Sequence, residues 1–477
     1  MMRVPEAVVE RGGVELAERL LALEHSRSTG RSKEREVAAP EAGTAMDADV
    51  LIAGGGLSLL LAPALAKRGL SVMVADRGTV GAVHREWNVS EDELPALVRS
   101  GVFDASEVEA LVLNRYRYGN CRWHEGGVYP VQGVLDHALD AKGLLSLARA
   151  KASRLGVDLM DRTSVLGAAG GAEGVRVLLG REDGREETVN VRLMIDARGA
   201  ASPHATADIV CPTVGGVMEG TSLPHDVGEI LATIDHCDDG RQHLWEAFPG
   251  REGQVTVYVF YYARSGAVPS GGLIDLYDRF FRQVESFTGG TPSLATPTFG
   301  YIPGWSRLSK VPSTPHPRIC LFGDAAARHS PLTFCGFGSM IRTFGPAAVT
   351  IADWLEGGET GPLDLFPNEP IHGFTGPLSR ILTRPSRNPA GLNRLLDAAF
   401  GTLHGMGEDP YRSLLKDRMD AESFRRFLWR TSLRRPSVYL DVAGGLEGDE
   451  LLWWSQLISR TALASVRDVL KGGKKNP

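Results

Sequence analysis

The sequence predicts an α/β fold: a Rossmann-type nucleotide-binding lobe, a β-sheet-rich second lobe and a helical C-terminal part. Three observations carry that reading. Residues 47–77 run from an apolar stretch through three glycines into an apolar helical stretch, then a second apolar stretch ending on an acid. Residues 206–315 are rich in aromatic and β-branched side chains, most densely from Val255 to Tyr262. Residues 357–477 read as helices broken by prolines. The chain then divides into a flexible N-terminal segment (1–46), a nucleotide-binding lobe in two parts (47–205 and 316–356), a substrate lobe (206–315) and a helical region (357–477).

The opening unit justifies the first lobe. Val50 to Ala53 is a strand, Gly54, Gly55 and Gly56 form a turn, and Val72 to Ala75 is a second strand ending at Asp76-Arg77. Glycines let a turn approach a pyrophosphate, a helix start supplies free N–H groups, and an acid after the second strand meets a ribose hydroxyl. Two fingerprint registers compete. Gly54 and Gly56 leave Leu59 in the third place, whereas Ala53, Gly55 and Ser58 replace two glycines by small residues. Pro63 removes one backbone bond from the helix and is expected to kink it.

Composition bounds the partners. The 477 residues are 43% hydrophobic and 23% charged, with a net charge of −6, which gives nucleic acid nothing to favour. Five scattered cysteines (Cys121, Cys211, Cys237, Cys320, Cys335) form no CxxC pair, so no metal site is expected and a reducing compartment fits. With neither a secretory signal nor an apolar span, the expected location is cytoplasmic or peripheral on the inner face of a membrane. Residues 26–46 read as a flexible linker after a short amphipathic helix, Val14 to Glu24.

Further along, Ser90 with Glu93 and Ser106 with Glu109 match helix capping boxes. The block His84-Arg85-Glu86-Trp87-Asn88 has two readings: a solvated loop anchored by Trp87, or a site with Arg85 on phosphate. A helix is expected from Leu135 to Leu155 with Gly156 as its C-cap, then a hairpin around Asp183-Gly184, then a strand ending in Asp196-Ala197-Arg198-Gly199. Glu246 stands among aromatics in WEAFP. It is either a surface carboxylate or an acid whose pKa an apolar pocket raises, suited to proton donation. The stretch from Gly323 and Asp324 through His329, Pro331, Gly336 and Gly338 takes a strand into a helix start, offering Asp324 to a sugar hydroxyl. His329 reads as a catalytic base or as a loop residue contacting backbone. In the C-terminal part, Arg425 to Arg435 and Leu451 to Trp454 mix basic and apolar side chains, which favours packing on the body over lying in a membrane interface.

The glycine unit, DARGAAS at 196–202 and GDAAARHSPLTFCGFG at 323–338 together resemble the three FAD contacts of two-lobed flavoproteins that include aromatic hydroxylases, geranylgeranyl reductases and lycopene cyclases. The Ala53/Gly55/Ser58 register keeps a gapless match to those proteins at Gly69 and Asp76 and is preferred. REWNVS at 85–90, DARGAASP at 196–203, WEAFP at 245–249 and GDAAARHSPLTFCGFGSM look most like the Cru-type (CruA/CruP) lycopene cyclases, over about residues 47–360. The resemblance implies FAD held by Gly54, Gly55, Gly56, Asp76, Arg77, Arg85, Gly199, Gly323, Asp324, Pro331, Gly336 and Gly338, needed reduced with NAD(P)H as electron source. It also implies Glu86 and Asn88 near the flavin ring.

The implied reaction is cyclisation of an acyclic carotenoid end group without net redox change. Its substrate is a carotenoid or other isoprenoid. Glu246 is the first candidate acid, Glu86 the second, and His329 a candidate base. A monooxygenase or prenyl reductase of the same fold, and a flavin- or carotenoid-binding paralogue without turnover, remain as alternatives.

Overall fold

The computed structural model describes residues 4–29, 34–82, 87–205, 207–308, 314–330, 332–333, 336–358, 361–365, 371–384, 388–444 and 446–472. Arg85, Glu86 and Pro331 lie outside them. The expected α/β architecture is present, built on two large sheets and a small three-stranded one.

The first sheet has a parallel core. Strand Ala48–Ala53 lies between Val72–Ala75 and Glu186–Asp196, and Ile319–Leu321 pairs with the far side of the latter. The near-continuous apolar runs follow from burial on both faces: Val50, Leu51, Ile52, Leu193, Met194 and Ile195 are all fully buried. The expected hairpin forms, pairing Val175–Arg181 with Glu186–Asp196 around Gly184 at φ 81°. The helix expected to be kinked by Pro63 is instead a 3-10 turn, Leu57–Leu60, followed by a short α-helix, Leu61–Ala66. Pro63 falls in the first turn of that helix, where a missing N–H costs little.

The second sheet is antiparallel except where Val227–Ala232 runs parallel to Tyr118–Arg122. It draws strands from 209–304 and also two, Tyr118–Arg122 and Val128–Val131, from the stretch read as first lobe. Val255, Val257 and Val259 turn one face toward helix Gly272–Thr288, whose Tyr277, Phe280, Phe281 and Val284 are buried against them. Helices between 372 and 472 cover part of the other face, joining Ile209, Cys211, Leu244, Phe248 and Phe260 in one core with Phe400, Leu403 and Phe424.

Three expectations are corrected. The cap of the second short helix is Asp104 with Glu107, two residues before Ser106, because that start turns Val108 and Leu111 inward. The helix expected from Leu135 begins only at Ala141, since His137–Leu139 is a strand. Much of the described part of the N-terminal segment is helical and packed where a flexible segment was expected. A helix spans Glu6–Thr29, broken at Gly13, and Val8, Leu16 and Leu20 are buried on helix Gly272–Thr288. Its charges serve contacts: the buried Glu24 carboxylate accepts from the N–H groups of Gly271 (3.2 Å) and Leu273 (2.9 Å), capping the other helix. Arg35 continues the attachment, donating its N–H to the Leu166 carbonyl at 2.8 Å. Leu20→Ala is therefore expected to destabilise the whole chain by about 2–4 kcal/mol. Thermal unfolding checks this, since a loosely tethered segment would leave Tm unchanged.

Candidate functional site

Three turns meet where the parallel strands end. Ala53, Asp196 and Leu321 are the last residues of neighbouring strands, followed by Gly54–Gly56, the 3-10 turn Gly199–Ala201 and the 3-10 turn Gly323–Ala325. The carboxyl ends of a parallel sheet, at the point where connections leave in opposite directions, form the usual ligand crevice of such folds.

The three adjacent glycines play different parts. Gly54 has φ 108°, and a Cβ there would collide with the Ala197 carbonyl. That makes Gly54 the turn glycine and corrects the preferred register, because Ala53 is the last residue of its strand, paired with Asp196 and Ala75. Gly55 is covered: its Cβ would stand 3.0 Å from the Val80 backbone, and its carbonyl accepts from the Gly81 N–H at 2.7 Å. Gly56 alone is exposed, with open space at its Cβ position. The N–H groups of Gly56 and Leu57 have no acceptor among the described residues. Those two amides can receive a phosphate oxygen. Leu59, in the third place, is buried against Gly81.

Asp76 departs from its simple reading. Its Oδ2 accepts from the Gly55 N–H and its Oδ1 from the Gly78 N–H, each at 2.7 Å. The shorter aspartate arm thus clasps the glycine turn to the loop after the second strand. Asp76 is half-buried, and Arg77 beside it is exposed. Arg149 and Asp161 pin the same loop, Arg149 donating to the Val80 carbonyl at 2.6 Å and Asp161 accepting the Val80 N–H at 2.8 Å.

The second and third turns sit side by side. A Cβ on Gly199 would lie 3.7 Å from the Asp324 Cβ, and both Gly199 and Gly323 have positive φ, 59° and 61°. Asp324 is exposed and its carboxylate has no partner among the described residues. Asp196 is fully buried and braces the second turn. Burial opposes its ionisation, but Arg198 and Ser202, the latter donating at 2.7 Å, outweigh burial and hold its pKa below the usual carboxylate value. Sequence reasoning saw the turn but not this brace.

The helix start after Asp324 is occupied by protein. A Cβ on Gly338 would come within 2.6 Å of the Glu93 carboxylate, which pairs with Arg342 of the same helix. Gly338 is therefore glycine to admit Glu93, a carboxylate at the positive end of helix Gly336–Gly357. Trp87 stacks on Phe337 there, with centroids 4.6 Å apart. His329 is buried, its ring 3.7 Å from the Cβ position of Gly336. The loop carrying it is held by Asp417, which accepts from the Ser330 N–H at 3.3 Å and the Thr333 hydroxyl at 2.9 Å. Burial raises the Asp417 carboxyl to about 7, only partly offset by Thr333, Arg342 and Ser330.

Glu246 lies on the second sheet, on the face opposite helix Gly272–Thr288. Strand alternation puts Leu244 and Phe248 on its side and the buried Trp245 and Ala247 on the other. Registers place Tyr258 directly across from Glu246, Thr213 across from Phe260, and Gly300 across from Thr213. Glu246 and Tyr258 on one row, and Thr213 and Gly300 on the next, are each partly accessible, and Gly300 has open space at its Cβ position, so these two rows floor a recess in an otherwise buried face. The strand holding Gly300 also packs on both the Gly199–Ala201 and Gly323–Ala325 turns. Burial raises the Glu246 carboxyl to about 8, and it has no hydrogen-bond partner among the described residues. At neutral pH it is a carboxylic acid. The neighbouring Cys211 thiol is pushed well above its usual value by burial and then by Glu246.

One group among the described residues has metal-ligand spacing: His124, Glu125 and His236, with ligand atoms within 4.8 Å of one another. The Asn393 amide donates to the Asp235 carbonyl at 2.9 Å and lies 3.1 Å from His236 Nδ1, while its Oδ1 accepts from Thr233 at 2.7 Å. Nδ1 is then an acceptor, so the neutral ring carries its proton on Nε2, 3.2 Å from Glu125. A protonated Nε2 is no metal ligand.

No family model and no curated protein matches the chain. Solved structures share its fold. A geranylgeranyl bacteriochlorophyll reductase-like protein from Thermoplasma acidophilum is 16% identical, with a TM-score of 0.54, over 84% of this chain and 99% of that one. The p-nitrophenol 4-monooxygenase PnpA from Pseudomonas putida is 16% identical, with a TM-score of 0.55, over 77% and 95%. A variant of the halogenase PltM in complex with FAD is 14% identical, with a TM-score of 0.52, over 87% and 96%. The fold is therefore that of Rossmann-type flavoproteins.

The separation of glycine roles is testable. Gly54→Ala is expected to destabilise the fold by roughly 1–3 kcal/mol from backbone strain alone. Gly56→Ala, with open space at its Cβ position, should lower the unfolding midpoint less than Gly54→Ala and weaken binding of added FAD in a fluorescence titration.

Proposed function

We propose that the chain binds FAD in the crevice and uses Glu246 as a proton donor to an apolar alkene, as in a lycopene cyclase-like reaction. The protonated, partnerless Glu246 carboxyl in the recess carries this reading. The Gly56 and Leu57 amides would receive the pyrophosphate, and Asp324 a ribityl or ribose hydroxyl. Reduced flavin, when bound, supplies an electron-rich ring face beside a developing cation.

The chain's own groups account for the proton steps. Glu246 transfers its carboxyl proton to the terminal double bond of an acyclic isoprenoid end group. The resulting cation is attacked by the next double bond, closing a ring. Loss of a ring proton to the Glu246 carboxylate regenerates the attacking double bond and the acid; the protonated double bond has been exchanged for the ring's new C–C bond, so there is no net redox change. Leu244, Phe248, Phe260 and Tyr262 share this face with Glu246 and are themselves buried, giving it apolar and aromatic surroundings. Such walls exclude water and present electron-rich ring faces to a cation.

A redox reading rests on a different observation: the solved neighbours are named as a reductase-like protein, a monooxygenase and a halogenase. Co-expression with a lycopene-producing pathway separates the two. Cyclised product without oxygen consumption supports the acid reading. Unchanged lycopene in the presence of soluble, flavin-loaded protein overturns it, and NAD(P)H oxidation coupled to oxygen or to alkene reduction would favour the alternative.

Glu246→Gln is expected to lower cyclisation by roughly 100-fold or more, with the flavin spectrum retained. Because the acid form is active, kcat/KM should fall as pH rises through about 8. Folding is linked with the same sign. The folded chain keeps the Glu246 proton up to about pH 8, whereas the unfolded chain releases it near the ordinary glutamate value of 4.5. Stability therefore declines as pH rises across that window, and Glu246→Gln should flatten the decline in a pH series of urea melts.

A further inference from the structure

We infer that the outer face of helix Ala421–Arg434 is a docking surface for an anionic lipid bilayer. The helix is two-sided. Phe424, Phe427, Leu428 and Thr431 are buried in the core shared with the second sheet. Positions 426, 429, 430 and 433 fall on the opposite side, and Arg426, Trp429, Arg430 and Leu433 are all exposed there. Trp429 is 49% and Leu433 65% exposed, large values for such apolar side chains.

The sequence balance between packing and interface is thus divided along one helix, with the inner stripe packing and the outer stripe bare. Most of the exposed large apolar side chains among the described residues lie between 429 and 463, including Leu440 at 76% and Leu452 at 59%. Apolar exposure is therefore concentrated in the C-terminal helices rather than scattered.

Charge selects the occupant. Arg425, Arg426 and Arg430 have no ion pair among the described residues, on a chain whose net charge is −6. Beyond Glu422 in its first turn, this face is a local cationic stripe against an acidic average, interleaved with a tryptophan and a leucine, which suits a layer of negative headgroups over hydrocarbon. Guanidiniums meet phosphates while Trp429 and Leu433 enter the boundary. No helix of the described residues is long and apolar enough to cross a membrane, so the contact is with one leaflet. This surface does not depend on the reaction, although a membrane-dissolved isoprenoid would be within reach of a chain held there.

The test is sedimentation of the purified full chain with vesicles of phosphatidylcholine alone, or with about one third phosphatidylglycerol. Binding is expected only to the anionic vesicles and should weaken with added salt. Arg426→Gln with Arg430→Gln should weaken it roughly tenfold or more, and Trp429→Ser with Leu433→Ser should do the same without changing the thermal melt. Absence of binding to either vesicle, or binding undiminished in both double variants, overturns the inference. So does concentration-dependent dimerisation that the Trp429→Ser, Leu433→Ser variant abolishes, which would give the face to a second copy of the chain. None of these readouts requires turnover, so they stand apart from the fate of the Glu246 mechanism.

Discussion

The crevice depends on one close approach between backbones. The Ala197 N–H donates to the Ala53 carbonyl at 2.8 Å, and the next residue, Gly54, turns so near the Ala197 carbonyl that no side chain fits. That contact draws the end of the first strand onto the end of the strand from Glu186 to Asp196. The turns that follow both strands are thereby brought together, and Asp324 reaches Gly199 from the neighbouring strand. A larger residue at 54 would separate the first turn from the other two.

Carboxylates around this point are kept in different states by their surroundings. Asp196 is buried but ionised, because the Arg198 guanidinium and the Ser202 hydroxyl offset its desolvation. Glu93 is buried beside Arg342 at a helix start. Glu246 has neither a cation nor a donor and keeps its proton. Asp196 and Glu93 hold structure, whereas Glu246 remains a carboxylic acid at neutral pH. Environment thus sets whether a buried acid of this chain keeps its proton.

Sequence patterns miss the partners that the fold adds to a group. Asp76 stands where an acid for a ribose belongs, and its oxygens also accept from the amides of Gly55 and Gly78. Gly338 fits a helix start facing a cofactor, yet it makes room for Glu93 from 245 residues earlier in the chain. The N-terminal segment has the composition of a linker, but Arg11, Glu24 and Arg35 spend their polar groups on distant backbone and Leu16 and Leu20 enter a core. Composition counts charges and cannot see their partners.

By itself the sequence determined the strand–turn–helix–strand unit, the hairpin around Gly184, the strand running into Gly323-Asp324 and the candidacy of Glu246. Each of these is a local pattern of apolar period, glycine and acid. Tertiary structure decided which of three adjacent glycines bears the turn, that strands 118–131 join the second sheet, and that the Glu246–Tyr258 row lies beside the row of Thr213 and Gly300. Those outcomes depend on strand register and on contacts between residues tens to hundreds of positions apart. A local pattern carries no information about either.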